Sequence, residues 1–281
     1  DSAKHPRFLE LPRNDRGLAT ETPAVRRMQQ LLPVFLEQKL QRAGADGFVV
    51  ALDGSVGSAV AAVMGIRATS TDDVLGLVLP AQLSDESSAR TAETVAEMLE
   101  IDSHRLQLQP LLSAFQRVIG TTGEPTDDLV AMGNVGQRLR MTVLYYVANT
   151  TNRLVLGSIN RTQRLLGSMT KHGENGVDIA PLSDIYQTEV DALADGLEVP
   201  STILERRRCP SDHVSESDAD RLDITPETLD SLLHHLIDRG DTEAAIADEL
   251  GIDRDVVKRV NTWCAETRHK RHPPLKPSFD L

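Results

Sequence analysis

Apolar positions along the chain follow two alternating rhythms, and the alternation sets the fold class. Between residues 24 and 43, Val25, Met28, Leu31, Leu32, Val34, Phe35 and Leu40 recur at helical spacing, which predicts a helix. Phe48-Val49-Val50-Ala51-Leu52 is a short continuous apolar run ending in Asp53-Gly54. That is the pattern of a strand buried on both faces and running into a turn. Small residues from Ser58 to Met64 start a second helix, and residues 74–79 form a second strand stopped by Pro80. A helix follows over 86–99, then a third strand over 105–109, a long helix over 129–150 and a fourth strand over 154–157. Strands alternating with helices predict an α/β fold: a doubly wound parallel sheet with helices on both faces. Helical patterns at 184–196, 226–238, 243–250 and 254–268 add a C-terminal helical extension.

Residues 1–23 are polar and contain proline, so they are expected to form an N-terminal arm. Residues 24–281 are expected to form a single domain whose C-terminal part is helical from about 226. Two loops stand out. Residues 119–128 hold Gly120, Gly123 and Pro125 among acidic residues, and residues 167–181 are too long for an ordinary helix–strand connection.

Composition narrows the picture. With 281 residues and 3% aromatics, the core is large and built from Leu, Val, Ile and Ala. Two cysteines, Cys209 and Cys264, exclude a disulfide framework, a four-cysteine zinc site and a C-x-x-C redox pair. The net charge is −12, with 25 Asp against 17 Glu and 24 Arg against 6 Lys. An Asp-rich, Lys-poor surface suits a protein working in high salt, and an acidic field disfavours nucleic acid. No apolar run approaches a membrane span and no signal-peptide pattern is visible, so the expected compartment is the cytoplasm. The histidines, including His234-His235 and His269/His272, lack cysteine partners and are not expected to form a metal site. Residues 242–260 have the apolar spacing and the Gly251 turn of a helix-turn-helix. DNA binding through them is a remote alternative, because the second helix starts with Asp253, Arg254 and Asp255.

The turn after the first strand reads Asp53-Gly54-Ser55-Val56-Gly57-Ser58. A glycine-rich turn between strand and helix is where backbone N–H groups gather a phosphate, although a plain tight turn has the same look. Longer motifs follow in order: Gly133-Asn134-Val135-Gly136-Gln137-Arg138-Leu139-Arg140-Met141, then Gly157-Ser158-Ile159-Asn160-Arg161-Thr162-Gln163. Next come Thr170-Lys171-His172-Gly173-Glu174-Asn175-Gly176-Val177-Asp178-Ile179, Pro210-Ser211 and His269-Lys270-Arg271-His272-Pro273-Pro274. With these motifs, from about residue 25 to 277, the chain resembles ammonia-dependent NAD synthetases of the ATP-pyrophosphatase superfamily. The resemblance implies ATP and Mg²⁺ as cofactors, which adenylate nicotinic acid adenine dinucleotide so that ammonia displaces AMP to give NAD. It also implies a homodimer, with the dinucleotide near the subunit interface.

By that resemblance, the dinucleotide positions Arg138, Lys171, Asp178, His269 and Lys270 keep the family residue types. Arg and Lys suit a pyrophosphate, and a carboxylate accepts ribose hydroxyls. The ATP side departs. The family's Ser-Gly-Gly-x-Asp-Ser loop is here Asp53, Gly54, Ser55, Val56, Gly57, Ser58. The two family magnesium ligands are Gly57 and Gln163, an ATP-contacting lysine is Gln187, and Ser158 and Ser211 are conservative replacements. The family's Gly-Gln-Thr-Asp-Glu run after Pro210-Ser211 is also missing. The expectation is a catalytically impaired, NAD synthetase-like protein that retains deamido-NAD or a similar dinucleotide. It would pair with itself or with a paralogue and act as a binding or partner-regulating homologue. The alternative is an active synthetase whose metal has relocated to Asp53.

Overall fold

The computed structural model describes residues 11–82, 85–197, 199, 203–204, 217–273 and 277. Four strands form one parallel sheet: β1 (Gly47–Ala51), β2 (Val74–Val78), β3 (Asp102–Arg105) and β4 (Arg153–Leu156), in the order β3-β2-β1-β4. Side chains alternate across it. Phe48, Val50, Val74 and Leu156 pack with helices α1 (Thr22–Ala43), α2 (Val56–Ala68), α3 (Glu86–Met98) and α7 (Gln187–Asp195). Val49, Leu75, Leu77 and Val155 pack on the opposite face against Met141, Leu144 and Ala148 of α5 (Leu129–Thr150). Both faces of the central strands β1 and β2 are therefore covered, and these two are continuous apolar runs because neither of their faces meets water.

The chain winds outward from β1 to β3, then crosses through α4 (Gln109–Gly120) and α5 to the other side of β1. The strand order reverses between β1 and β4. In open α/β sheets the crevice at that reversal, outside the strand C-termini, is where ligands sit. Here it is framed by the loops after β1 and after β4.

Beyond β4 come α6 (Arg161–Leu166), the loop to α7, α8 (Pro226–Leu233) prolonged by a π-helical turn (His234–Arg239), α9 (Glu243–Leu250), α10 (Arg254–Glu266) and the short α11 (Arg268–Arg271). These helices bury a second core around Tyr186, Leu166, Leu232, Ile246, Val257 and Val260. The α9–α10 pair turns at Gly251 in the left-handed conformation and buries its apolar side there. Cys264 lies in the same core, where burial pushes its thiol up to about 11.

Several expectations are corrected. The third strand lies at Asp102–Arg105, not 105–109, and residues from Gln109 form a helix with Pro110 in its first turn. Helix α2 starts at Val56, because Ser55 caps it. Helix α6 was not expected, and the 226–238 helix switches to π geometry at His234. Part of the arm is tied down: Leu18 and Ala19 are fully buried and α1 begins at Thr22. Val143, Leu144, Val147 and Ala148 of α5 pack toward its own sheet, Leu144 and Ala148 buried and Val143 and Val147 half-buried. Among the described residues, no helix is long and apolar enough to cross a membrane.

Candidate functional site

The loop after β1 folds around its own carboxylate. Asp53 Oδ1 accepts the backbone N–H of Ser55 at 2.9 Å and the hydroxyl of Ser58 at 2.7 Å. Ser55 Oγ accepts the N–H of Ser58, capping α2. Two donors of this turn, the Ser55 N–H and the Ser58 hydroxyl, are thus taken by an internal anion. Gly54 has φ +78°, and a Cβ on it would lie 2.8 Å from the Ser88 carbonyl, so the turn requires glycine. A Cβ on Gly57 would point at the Ser158 carbonyl, 3.0 Å away, across the crevice from β1 to β4.

The loop after β4 holds the other two departed positions. Asn160 caps α6 by accepting the N–H of Gln163, and Gln163 Oε1 accepts the N–H of Asn160 at 3.1 Å. Asn160 Nδ2 donates to Gln187 Oε1 at 2.7 Å, and Gln187 Nε2 donates to Asp191. Gln163 and Gln187, 24 positions apart in sequence, are therefore joined through Asn160. The fit to Mg²⁺ is poor. Gly57 offers no side-chain oxygen, and the Gln163 amide oxygen is neutral and engaged in a capping box, whereas Mg²⁺ wants carboxylates at tight octahedral distances.

Above the strand ends lies a cavity of about 330 Å³. Leu52, Leu77, Leu79, Met141, Leu144 and Val177 give it apolar walls, and Ser88, Gln137 and Ser158 add polar groups. Its charged lining is Asp53, Asp85, Glu174 and Arg140, three carboxylates against one guanidinium. Arg140 pairs with Asp85 at 2.8 Å, and Glu174 accepts the N–H of Thr170 at 2.7 Å.

A larger cavity of about 740 Å³ adjoins it and shares Gln137 and Glu174. Gln163, Gln187 and Lys270 line it. The expected dinucleotide residues gather on the loop beyond. Arg138 Nε donates to the Lys171 carbonyl, Lys171 Nζ donates to the His269 carbonyl at 2.9 Å, and Lys270 Nζ donates to the Gly167 carbonyl at 2.6 Å. Each ammonium keeps two further N–H donors. Asp178 is anchored separately: it accepts the Tyr145 hydroxyl at 3.0 Å and the Val155 N–H at 2.8 Å. Burial, with Asp178 beside it, pushes the Tyr145 hydroxyl up to about 12. Ser211 and Cys209 lie outside the described residues.

The sequence reading did not single out the residues that hold this scaffold. Asp230 is fully buried, accepting the Thr162 hydroxyl on one oxygen and the Thr188 N–H and hydroxyl on the other, so it clamps α6, α7 and α8 together. Glu189, also fully buried, accepts Arg13 at 2.8 Å and the N–H groups of Ala19 and Tyr186. The Asn160…Gln163 spacing was a legible signal, since Asn followed three positions later by Gln is a capping-box pattern.

The parallel sheet whose order reverses at β1 and β4, with two cavities beyond the strand ends, defines an open α/β protein with a crevice of the kind in which such sheets hold ligands. The chain belongs to the NAD synthase family, whose model matches residues 28–274. It is 36% identical, over 87% of its length and 94% of the relative, to the NH(3)-dependent NAD(+) synthetase of Thermococcus kodakarensis. An NMN synthetase from Francisella tularensis superposes with a TM-score of 0.73 at 30% identity, covering 91% of this chain and 99% of that one. An NH3-dependent NAD synthetase from Campylobacter jejuni, solved in complex with the nitrate ion, shares the fold: TM-score 0.75 at 22% identity, over 90% of this chain and 99% of that one.

Proposed function

We propose that this chain is a catalytically impaired member of the family that still binds a nicotinic or nicotinamide nucleotide, as a homodimer or with a paralogue, in a cytoplasm of high salt. The observation that carries the reading is the state of the metal positions. Gly57 has no ligand, Gln163 is committed to its helix cap, and Asp53 fills the loop meant for an anion. A phosphate about 4 Å from the Asp53 carboxylate costs on the order of 4 kcal/mol per unit charge at an effective dielectric near 20. Without Mg²⁺ nothing offsets that cost, and adenylation loses its main charge neutraliser. The rival, an active enzyme with its metal on Asp53, is weakened because Gly57 and Gln163 supply no second carboxylate beside it. The α9–α10 pair gives no support to DNA binding, since α10 starts among Asp253, Arg254 and Asp255 in a chain of net charge −12.

The test is an amidation assay with Mg-ATP, ammonia and either nicotinic acid adenine dinucleotide or the corresponding mononucleotide, run at low and high salt. The expected result is no turnover with either substrate. Turnover near one per second, ordinary for an enzyme, overturns the reading. The triple variant Asp53→Ser, Gly57→Asp, Gln163→Glu is expected to gain activity, provided the Ser158 carbonyl gives by a few tenths of an ångström. In parallel calorimetry the dinucleotide is expected to bind, and Lys171→Ala to weaken it about 10- to 100-fold, the loss of one charge-assisted contact.

A further inference from the structure

His235 is fully buried and sits in the π-helical turn after α8, a distortion that recurs at functional sites. Gly240, at φ +72°, reverses the chain behind that turn, and the Asp241 N–H closes on the His235 carbonyl at 2.9 Å. The same reversal sets Asp241 Oδ2 2.9 Å from His235 Nδ1. From the last turn of α9, Glu249 Oε2 comes within 3.5 Å of that same nitrogen. The three atoms lie within 4.8 Å of one another. One imidazole nitrogen offers either an N–H or a lone pair. An N–H serves one carboxylate well and leaves two like charges side by side, whereas a divalent cation serves all three groups. Donors placed tetrahedrally around Zn²⁺ at about 2.0–2.1 Å stand roughly 3.3–3.4 Å apart. The observed 2.9 and 3.5 Å bracket that spacing.

We propose that His235 Nδ1, Asp241 and Glu249 form a site for a divalent transition cation of the Zn²⁺ class, with water as the fourth donor. Cysteine is not required, since histidine nitrogen and carboxylate oxygen are both Zn²⁺ ligands. The His235 Nε2 has no hydrogen-bond partner among the described residues, so no contact on the far side of the ring holds the proton on Nδ1. On binding, that proton leaves to solvent and the lone pair goes to the metal. Arg239 Nε pairs with Asp241 at 2.9 Å, but its side chain is half exposed and turns out to water when the cation takes the carboxylate. None of the three ligands lines either cavity, so the site stands apart from the nucleotide crevice and does not depend on the proposed function. Its cation would tie the π turn to the end of α9.

Equilibrium dialysis of the whole chelator-treated chain against Zn²⁺, with Co²⁺ as a spectroscopic probe, tests the proposal. One Zn²⁺ per chain is expected to bind, saturating well below millimolar. Glu249→Gln is expected to weaken it about tenfold or more. Asp241→Asn combined with Glu249→Gln is expected to abolish saturable binding. The Glu249 side chain is 48% exposed, so the single variant keeps the fold, which circular dichroism checks. Bound Co²⁺ is expected to show visible d–d absorption in the unaltered chain and to lose it in Glu249→Gln, a readout that a change in packing alone does not produce. Absence of saturable Zn²⁺ binding below millimolar overturns the proposal and leaves a hydrogen-bonded cluster only. Zn²⁺ held as tightly by the double variant as by the unaltered chain also overturns it, since the ion then sits elsewhere.

Discussion

Asp230 has no exposure to solvent, and its two oxygens take three hydrogen bonds from Thr162 and Thr188. Burial outweighs those bonds and raises its carboxyl to about 6. The sign of the consequence follows from linkage. Between the unfolded value near 4 and about 6, the unfolded chain releases a proton that the folded chain keeps, so stability falls as pH rises through that window and levels off above it. Two units correspond to about 3 kcal/mol. Asp230→Asn removes the titration. The unfolding free energy of the unaltered chain minus that of the variant is expected to decline by about this amount between roughly pH 4 and 6, measured by urea titration at several pH values. A difference that stays constant across the window would show that the proton sits elsewhere. No sequence pattern announces Asp230: it occupies one position of a helix otherwise legible by period, and only the fold brings Thr162 and Thr188 to it. Asp53 and Gly57 are the opposite case. Both are visible against a motif, but the sequence could not tell that Asp53 turns back into its own loop.

At the scale of elements, the sequence was legible wherever burial is two-sided or periodic. β1, β2, α3 and α5 are apolar in the pattern their neighbours demand, and they lie within a residue or two of the expected positions. β3 was misplaced because all four of its side chains are exposed at the sheet edge, while Leu106 and Leu108 just beyond imitate a strand. What ties the expected arm to the body is not legible in sequence, because the tether is a long-range ion pair. Arg13 reaches the buried Glu189 of α7 at 2.8 Å, Ser231 of α8 bonds the Arg16 carbonyl, and Leu18 fills the second core. This strap steadies the start of α7, which carries Gln187 at the cavity wall. Arg13→Ala leaves a buried carboxylate held only by backbone N–H groups. It is expected to cost about 2–3 kcal/mol, less than the 3–5 kcal/mol of a fully buried broken pair because Arg13 is partly exposed. Chemical denaturation measures this directly, and a loss below about 0.5 kcal/mol, the size of an ordinary surface pair, would make the strap dispensable.

For the whole molecule, the question is what covers its remaining apolar surface. The net charge of −12 keeps copies apart at low salt, so any association must come from apolar area and strengthen as salt screens the repulsion. The inner face of α5 packs on the sheet, but other large apolar side chains lie open on α4 and along α5. Val118 is 66% exposed, Leu129 87% and Val130 75%, with Leu111 and Tyr146 also outside. These residues lie on α4 and α5, and the proposed association is expected to use them. Leu129 and Val130 also line the 740 Å³ cavity, so a partner seated there would border the proposed dinucleotide site. Light scattering at high salt is expected to give twice the 30.8 kDa chain mass, or one such chain plus a co-purifying paralogue. Val118→Asp and Leu129→Asp, each placing a charge on that surface without touching the core, are expected to return the 30.8 kDa species and to weaken dinucleotide binding along with it. A 30.8 kDa mass for the unaltered chain at high salt, with nothing co-purifying, sinks the dimer. Monomeric variants that bind the dinucleotide at full strength would instead leave the dimer standing and show that the site is complete within one chain.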